Sequence, residues 1–260
     1  MDSVALPDYH VHTCWSDGCG SAAVLIAAAK GLPELGLADH LVASELGYGM
    51  PPERLADYVA EVRRAAAAAG APRVLVGVEV DYTPETWPQM AAALRGHKLD
   101  YVIGSVHFVD GEPMDVDARR AEDRWPRVDE LFERYYETVA EMAAREAVDV
   151  VGHLDLPKKF GRRPTLKLAA AENAALDAIA AAGSLVEINT AGLRHSAGEP
   201  YPSLRLLAGA RERGIGITFG SDAHRPQDVA AGFVEALALA ESAGYTASVR
   251  LSDRTEVALP

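Results

Sequence analysis

The chain has 260 residues, a length at which an α/β barrel commonly forms one domain, and 49% of them are hydrophobic, enough for a sizeable core. Its net charge is −13 and no basic stripe is visible, so nucleic acid is not an expected partner. No apolar run reaches the roughly 18–20 residues of a membrane span, and the first residues lack the pattern of a signal peptide. We therefore expect a cytoplasmic protein with no membrane partner.

Short apolar runs that favour strands alternate with Ala-rich amphipathic stretches that favour helices along the chain. The predicted strands are Asp8–Thr13, Glu34–His40, Val74–Tyr82, Tyr101–Phe108, Val148–Asp155, Leu185–Thr190 and Gly216–Ser221. The predicted helices are Ser21–Lys30, Pro52–Ala69, Trp87–Leu94, Trp125–Glu146, Thr165–Ala182, Ser203–Arg213 and Pro226–Ala243.

Seven units of a strand followed by a helix favour parallel strands joined by right-handed crossovers. A doubly wound sheet would also fit this pattern, but seven regular units favour a closed or nearly closed barrel. The charged segment Asp110–Arg124 is predicted to be a loop over the strand ends. No linker divides the chain, so residues 1–260 are predicted to form a single domain, as a monomer or a small homo-oligomer.

Residues of the types that bind metals fall at the ends of the predicted strands. His10 and His12 are two positions apart on one strand, so both side chains point to the same face. The carboxyl ends of parallel strands converge on one rim of a barrel, and so many N and O donors are costly to bury there without a cation. Imidazole and carboxylate donors suit Zn²⁺, Mn²⁺ or Fe²⁺. The remaining donors at strand ends are His40, Glu79, His107, His153, Asp222 and His224.

Other residues of the same types carry weaker signals. A lone histidine in an apolar strand is more often a hydrogen-bonded core residue than a ligand, and His97, which precedes its strand, is expected at the opposite end of the barrel. His195 follows the sixth strand, where contact with a substrate and simple exposure fit equally well. Cys14 and Cys19 have no second pair of cysteines, so we expect reduced thiols that bind no metal.

Basic residues near the same rim point to a phosphate. An arginine offers forked, bidentate donors to phosphate oxygens, and clustered cations suit the hydrolysis of a phosphate ester, a very slow reaction without a catalyst. For Lys158 and Lys159, contact with phosphate and a solvated surface charge are equally good interpretations. The candidate phosphate ligands are Arg162, Arg163, Arg194 and Arg225.

Several of these segments together resemble a known family. The motifs HVHTCWSDG, ADH, GVEVDY and ITFGSDAHRP resemble the polymerase-and-histidinol-phosphatase (PHP) superfamily, from about Asp8 to Val229. DYVIGSVHF, GHLDLPKKFG and EINTAGLR are similar to its histidinol-phosphate phosphatase branch. The resemblance implies a distorted seven-stranded (β/α) barrel with a trinuclear metal site.

The resemblance also implies ligands and a reaction. Asp17 stands where this branch often has a histidine after a cysteine, and its carboxylate would replace that histidine as a ligand of the third ion. The resemblance therefore implies two or three divalent ions (Zn, Mn or Fe). The implied reaction is the hydrolysis of L-histidinol phosphate, a small phosphorylated substrate. Arg194 and either Arg162 or Arg163 would bind the phosphate. Asp222 or His224 would protonate the leaving alkoxide. The alternatives are another PHP-type phosphoesterase, acting on nucleotides or sugar phosphates, and a metal-stabilised module without catalysis. The implied ligand sets are His10, His12, Glu79 and Asp222; Glu79, His107 and His153; and Asp17, His40 and His224.

Overall fold

The computed structural model describes residues 5–43, 47–114, 127–145, 147–166 and 168–260. Its main sheet has seven parallel strands, each paired with the next one along the chain. Just beyond the last strand, Ala223 bridges back to Val11 on the first, so the sheet is a nearly closed barrel, as predicted. The seven strands are β1 (Asp8–Val11), β2 (Glu34–Leu41), β3 (Arg73–Asp81), β4 (Tyr101–Ser105), β7 (Val150–Val151), β8 (Leu185–Asn189) and β9 (Ile217–Gly220).

Helices follow the strands and bury one face each. The longest described helix, α4 (Val128–Ala143), buries Leu131, Tyr135 and Val139, which lie four residues apart and therefore on one side of the helix. The Tyr135 hydroxyl donates to the carbonyl oxygen of His153 at 3.1 Å, so this helix supports a loop at the strand ends. The described helices are α1 (Ala22–Ala28), α2 (Leu55–Ala69), α3 (Trp87–Gly96), α4 (Val128–Ala143), α5 (Ala169–Ala182), α6 (Leu204–Glu212) and α7 (Phe233–Ser242).

Tyr101 fills the barrel at the amino end of β4, where two glycines leave room for its ring. A Cβ atom at Gly77 would lie 2.3 Å from the ring, and one at Gly36 would lie 2.1 Å from its hydroxyl oxygen. That hydroxyl donates to the carbonyl oxygen of Tyr9 at 2.6 Å. The interior is therefore packed with side chains below the strand ends, and the space for a site lies at the carboxyl ends.

Several predicted elements are shorter in the structure. Of the strand predicted at Val148–Asp155, only Val150–Val151 is a β-strand, because the backbone leaves the extended conformation at His153, where φ is 21°, and a 3₁₀ turn follows at Leu156–Phe160. The predicted helix Pro226–Ala243 consists of a 3₁₀ turn, Pro226–Asp228, and α7. Gly232 separates them with a φ of 80°, a left-handed conformation that a continuous helix does not allow.

Two hairpins were not predicted. The segment expected to be a loop from Asp110 begins inside the hairpin of β5 (Phe108–Val109) and β6 (Glu112–Pro113), while residues 115–124 lie outside the described residues. Residues 125, 126 and 146 of the predicted helix Trp125–Glu146 lie outside them as well. The other hairpin pairs β10 (Ala247–Arg250) with β11 (Thr255–Ala258). Among the described residues, no helix combines the length and apolar character needed to span a membrane.

Candidate metal centre

All of the predicted ligand residues lie in one cluster at the carboxyl ends of the strands. The floor of this cluster is inaccessible to solvent: the side chains of His10 and His12 are 0% exposed and that of Glu79 is 1% exposed. Its mouth is open, because Asp17 is 38% exposed and His224 is 36% exposed. The cluster therefore combines a dry interior with an entrance wide enough to expose two of its donors.

Glu79 stands at the centre of the cluster, and its two carboxylate oxygens face different imidazoles. Its Oε2 atom lies 3.0 Å from His40 Nδ1, 3.3 Å from His10 Nε2 and 3.6 Å from His12 Nε2. Its Oε1 atom lies 3.0 Å from His153 Nε2 and 3.9 Å from His107 Nε2. A carboxylate with this arrangement is suited to bridge two cations.

Asp222 adds a second carboxylate on the side of the histidine pair. Its Oδ1 atom is 3.3 Å from His12 Nε2 and 4.0 Å from His10 Nε2. Its backbone has a φ of 53°, a left-handed conformation that is uncommon for aspartate and that recurs at functional sites. Asp222 and Glu79, the two carboxylates of the first implied ligand set, thus each lie beside both of its histidines.

Near the mouth, donor atoms of His12, Asp17, His40 and His224 all lie within 4.8 Å of one another. Asp17 Oδ2 is 3.1 Å from His224 Nε2, and Asp17 Oδ1 is 3.9 Å from His40 Nε2. The Asp17 carboxylate is therefore placed so that it could share one cation with the imidazoles of His40 and His224.

Around Glu79, the structure offers two ways to complete a second set. Donor atoms of His40, Glu79 and His107 lie within 4.8 Å of one another. However, the His40 atom that faces Glu79 Oε2 is Nδ1, at 3.0 Å, and it also lies 3.0 Å from a carboxylate oxygen of Asp81, whereas the Nε2 atom of His40 faces the mouth. The Nε2 atom of His153 lies closest to Glu79 Oε1, so ring orientation favours the implied set with His107 and His153.

The donors fit divalent metal ions. Within the described part of the chain, the buried Nε2 atoms of His10 and His12 have no hydrogen-bond partner. Buried polar atoms without a partner are costly and rare, and a cation beside Glu79 and Asp222 would satisfy both nitrogens. Imidazole and carboxylate donors without thiolates match Zn²⁺, Mn²⁺ or Fe²⁺.

The charges of the cluster reinforce each other. Burial by itself would raise the pKa of Glu79, but the imidazoles of His40 and His10 hold that pKa well below its usual range. Burial would lower the pKa of His10, yet the carboxylates of Glu187, Glu79 and Asp222 raise it well above its usual value. Without metal, protons on His10 and His40 therefore offset part of the charge of the buried carboxylates, and cations would take over this role on binding.

Two carboxylates in the cluster were missed from the sequence. Glu187 Oε1 lies 2.7 Å from His10 Nδ1, and Asp81 contacts both His40 Nδ1, at 3.0 Å, and His107 Nδ1, at 3.1 Å. A carboxylate that accepts the Nδ1 proton leaves the Nε2 lone pair for a metal. The available signal was an acidic residue inside an apolar strand, LVEIN for Glu187 and GVEVD for Asp81.

The candidate phosphate ligands differ in their surroundings. Arg194 donates from Nη2 to the carbonyl oxygens of Ser221, at 2.7 Å, and Asp222, at 2.9 Å, so its guanidinium lies beside the cluster. Arg225 is exposed and directly follows His224. Arg162 is half-buried on the turn after β7.

Arg163 and Lys158 connect two loops. Arg163 donates from Nη2 to the carbonyl oxygen of Ala197, at 2.9 Å, and to Glu199, at 3.1 Å. Lys158 is 2% exposed and pairs with Asp155 at 2.9 Å and Glu199 at 3.1 Å. Lys158 is therefore neither a solvated surface charge nor available to a phosphate; it holds the loop after β8 against the turn after β7.

The remaining histidines and the cysteines lie where their sequence context suggested. His97 follows α3, at the amino end of β4 and away from the cluster. His195 follows the turn after β8; burial and the charge of Lys159 lower its pKa. Cys14 and Cys19 are exposed free thiols.

The fold and the site together define a parallel-stranded barrel with a histidine- and carboxylate-rich metal centre at its rim. The family model described as the PHP domain matches residues 8–191, and the chain belongs to this family.

Among curated proteins, a probable histidinol-phosphatase of Deinococcus radiodurans is 35% identical, over 89% of this chain and 91% of that protein. The histidinol-phosphatase of Bacillus subtilis is 29% identical, over 60% of this chain and 65% of that protein. A crystal structure of histidinol phosphate phosphatase from Lactococcus lactis, in complex with zinc, L-histidinol and phosphate, has the same fold: its TM-score is 0.78 at 21% identity, covering 96% of this chain and 98% of that one.

Proposed function

We propose that this protein is a metal-dependent phosphomonoesterase that hydrolyses L-histidinol phosphate to L-histidinol and phosphate, a reaction of histidine biosynthesis. The observation that carries the proposal is Glu79, a buried carboxylate whose two oxygens face separate sets of imidazoles: His10, His12 and His40 at Oε2, and His107 and His153 at Oε1. It occurs in a chain that matches a probable histidinol-phosphatase over nearly its whole length. Two or three divalent ions, Zn, Mn or Fe, would occupy the centre.

The arrangement of the donors supports the three implied ligand sets. His10 and His12 lie beside Glu79 Oε2 and Asp222 lies beside both histidines, whereas His107 and His153 face Glu79 Oε1. When bound, the ions would neutralise the phosphoryl oxygens and lower the pKa of a water molecule. The third set, at the open mouth, consists of Asp17, His40 and His224.

We assign the main phosphate contact to Arg194. Its guanidinium lies against the backbone of Asp222 and is exposed at the rim, so it can donate to a phosphate held over the cluster. Arg162 and Arg225 are further candidates at the same rim. Arg163 is a weaker candidate, because two of its donors are used by Ala197 and Glu199. Asp222 or His224 would supply the proton to the departing alkoxide.

The test is a phosphate-release assay on the purified protein loaded in turn with Mn²⁺, Zn²⁺ and Fe²⁺. The substrates are L-histidinol phosphate, a set of nucleoside monophosphates and a set of sugar phosphates, and Glu79→Gln is the matched control variant. Fast release from L-histidinol phosphate alone supports the proposal. Broad release, or release from nucleotides, would favour another phosphoesterase of the family, and metal content without turnover would favour a non-catalytic module.

The same proposal covers the partners and location of the protein. A small phosphorylated substrate is the only partner that the centre requires, and we propose a cytoplasmic monomer or small homo-oligomer that binds neither nucleic acid nor membranes. Size-exclusion chromatography with light scattering measures the oligomeric state. A mobility-shift assay with single-stranded DNA tests the expected lack of nucleic-acid binding.

A further inference from the structure

A third carboxylate, Asp39, lies beside the centre and holds the loop that follows β1. It is 0% exposed and precedes His40 on β2. Its Oδ1 atom accepts hydrogen bonds from Thr13 N (2.8 Å), Ser16 N (3.1 Å) and Ser16 Oγ (2.7 Å), and its Oδ2 atom accepts one from Thr13 Oγ1 (2.8 Å). One buried side chain thus makes four hydrogen bonds to two residues of this loop.

The loop held in this way carries Asp17. The carboxylate of Asp17 is 38% exposed, but it lies 3.1 Å from His224 Nε2 and 3.9 Å from His40 Nε2. A half-exposed side chain keeps such a position only if its backbone is held in place. Ser16, the residue immediately before Asp17, is bonded to Asp39 through both its amide nitrogen and its hydroxyl.

Asp39 also acts on His12 through Ser16. The Ser16 hydroxyl oxygen is 3.4 Å from His12 Nδ1. Since the hydroxyl donates its single proton to Asp39, it can only accept a hydrogen bond from His12, which places the ring proton on Nδ1. The Nε2 lone pair of His12 is then directed towards Glu79 and Asp222, where this buried nitrogen has no protein hydrogen-bond partner among the described residues.

We propose that Asp39 is a positioning residue of the metal centre: it sets the place of Asp17 and, through Ser16, the tautomer of His12. Its carboxylate accepts hydrogen bonds from Thr13 and Ser16 and, among the described residues, from none of the implied ligands. The inference rests on the proposed function only in that metal ions bind the cluster. By holding the backbone of the loop after β1, Asp39 allows the exposed Asp17 to provide a ligand at the mouth of the cluster.

The experiment measures bound metal and tautomer rather than turnover. Full-length wild-type protein and the variants Asp39→Ala, Asp39→Asn and Ser16→Ala are loaded with Zn²⁺ and dialysed against a chelator of graded strength, and zinc per chain is determined by mass spectrometry. Nitrogen-15 spectra of the metal-free proteins report the tautomer of His12. The control is Glu34→Ala, which removes a buried carboxylate from the opposite end of the same strand, where it accepts a hydrogen bond from Tyr9 at 2.5 Å.

The variants have different expected results. Asp39→Ala lowers the affinity of the most weakly held ion by about 10- to 100-fold, the usual effect of removing a residue that orients ligands, and leaves the other ions bound. Asp39→Asn retains the ion, because the amide oxygen can replace Oδ1 and the amide nitrogen can donate to Thr13 Oγ1. Ser16→Ala, which removes no buried charge, populates the other tautomer of His12. Glu34→Ala keeps the wild-type zinc content.

The outcomes separate this inference from the proposed function. Wild-type protein that retains no zinc would overturn both. A second outcome would overturn the role of Asp39 alone. In it, wild-type protein and Asp39→Ala retain zinc equally well, and the His12 tautomer is unchanged in Ser16→Ala. Equal losses of zinc in Asp39→Ala and Glu34→Ala would reduce that role to general stability and would also overturn it.

Discussion

Glu187→Gln is the substitution that tests most directly how the floor of the centre is organised. Glu187 Oε2 accepts hydrogen bonds from His153 N and Asn189 Nδ2, both at 3.0 Å, and Oε1 lies 2.7 Å from His10 Nδ1. In the variant, the amide oxygen can keep both bonds on the Oε2 side. The amide nitrogen then faces His10 Nδ1, and because it donates, His10 has to carry its proton on Nε2, the atom that faces Glu79.

The consequence for metal binding is measurable. A proton on His10 Nε2 blocks one ligand of the first set, and loss of such an orienting contact typically costs 10- to 100-fold in metal affinity. This factor corresponds to about 1.4–2.8 kcal/mol of binding free energy. The size and shape of the side chain stay the same, but Glu187 is the carboxylate that most raises the pKa of His10, so we expect the metal-free variant to lose part of the stability that protonated His10 provides.

Titration calorimetry with Zn²⁺, run in competition with a chelator, measures the affinity of each variant. Glu172→Gln is the matched control: Glu172 is 3% exposed but pairs with Arg205 between the outer helices, away from the centre. We expect weaker zinc binding in Glu187→Gln and wild-type binding in Glu172→Gln. Unchanged zinc affinity in Glu187→Gln, with His10 still protonated on Nδ1 in nitrogen-15 spectra, would refute the reasoning.

Three further predictions concern the whole centre. Glu79→Gln removes the charge between the two sets of imidazoles, and phosphate release should fall to below about one hundredth of wild type; full activity would contradict a metal-dependent mechanism. Removal of metal with a chelator should lower the melting temperature measured by calorimetry. The expected decrease is about 5–11 °C for each ion whose free concentration was about 100 times its dissociation constant. An unchanged melting temperature would exclude a tightly bound ion. The third prediction concerns pH. Burial would lower the pKa values of His10, His40 and His224, but neighbouring carboxylates raise these pKa values above 6.5. The protonated histidines therefore stabilise the metal-free protein below pH 6.5, and this stability is lost as the pH rises through the raised pKa values. The difference in melting temperature between loaded and metal-free protein should therefore widen from pH 6 to pH 8; a constant difference would contradict the raised pKa values.

Much of the fold and of the candidate site follows from local patterns in the sequence. The alternation of apolar runs and Ala-rich stretches predicted the order of all seven barrel strands, because each strand and each helix buries its own face. The spacing of His10 and His12 predicted that they share a face, and the position of Glu79 near a strand end predicted that it would join them. Parallel strands bring their carboxyl ends together whatever residues separate them, so this part of the site needs no knowledge of long-range contacts.

What the sequence leaves open depends on contacts between distant segments. Glu187 and His10 are 177 residues apart and meet only because the barrel nearly closes. The two interpretations of Lys158 differ only in whether Glu199 lies within reach, which the packing of two loops decides. The role of Asp39 likewise depends on how the loop after β1 folds back over β2. Residue types and spacing thus determine which donors reach the rim. Closure of the barrel and packing of the loops determine which atom of each donor faces the centre, because the orientation of a side chain depends on a hydrogen-bond partner from another part of the chain.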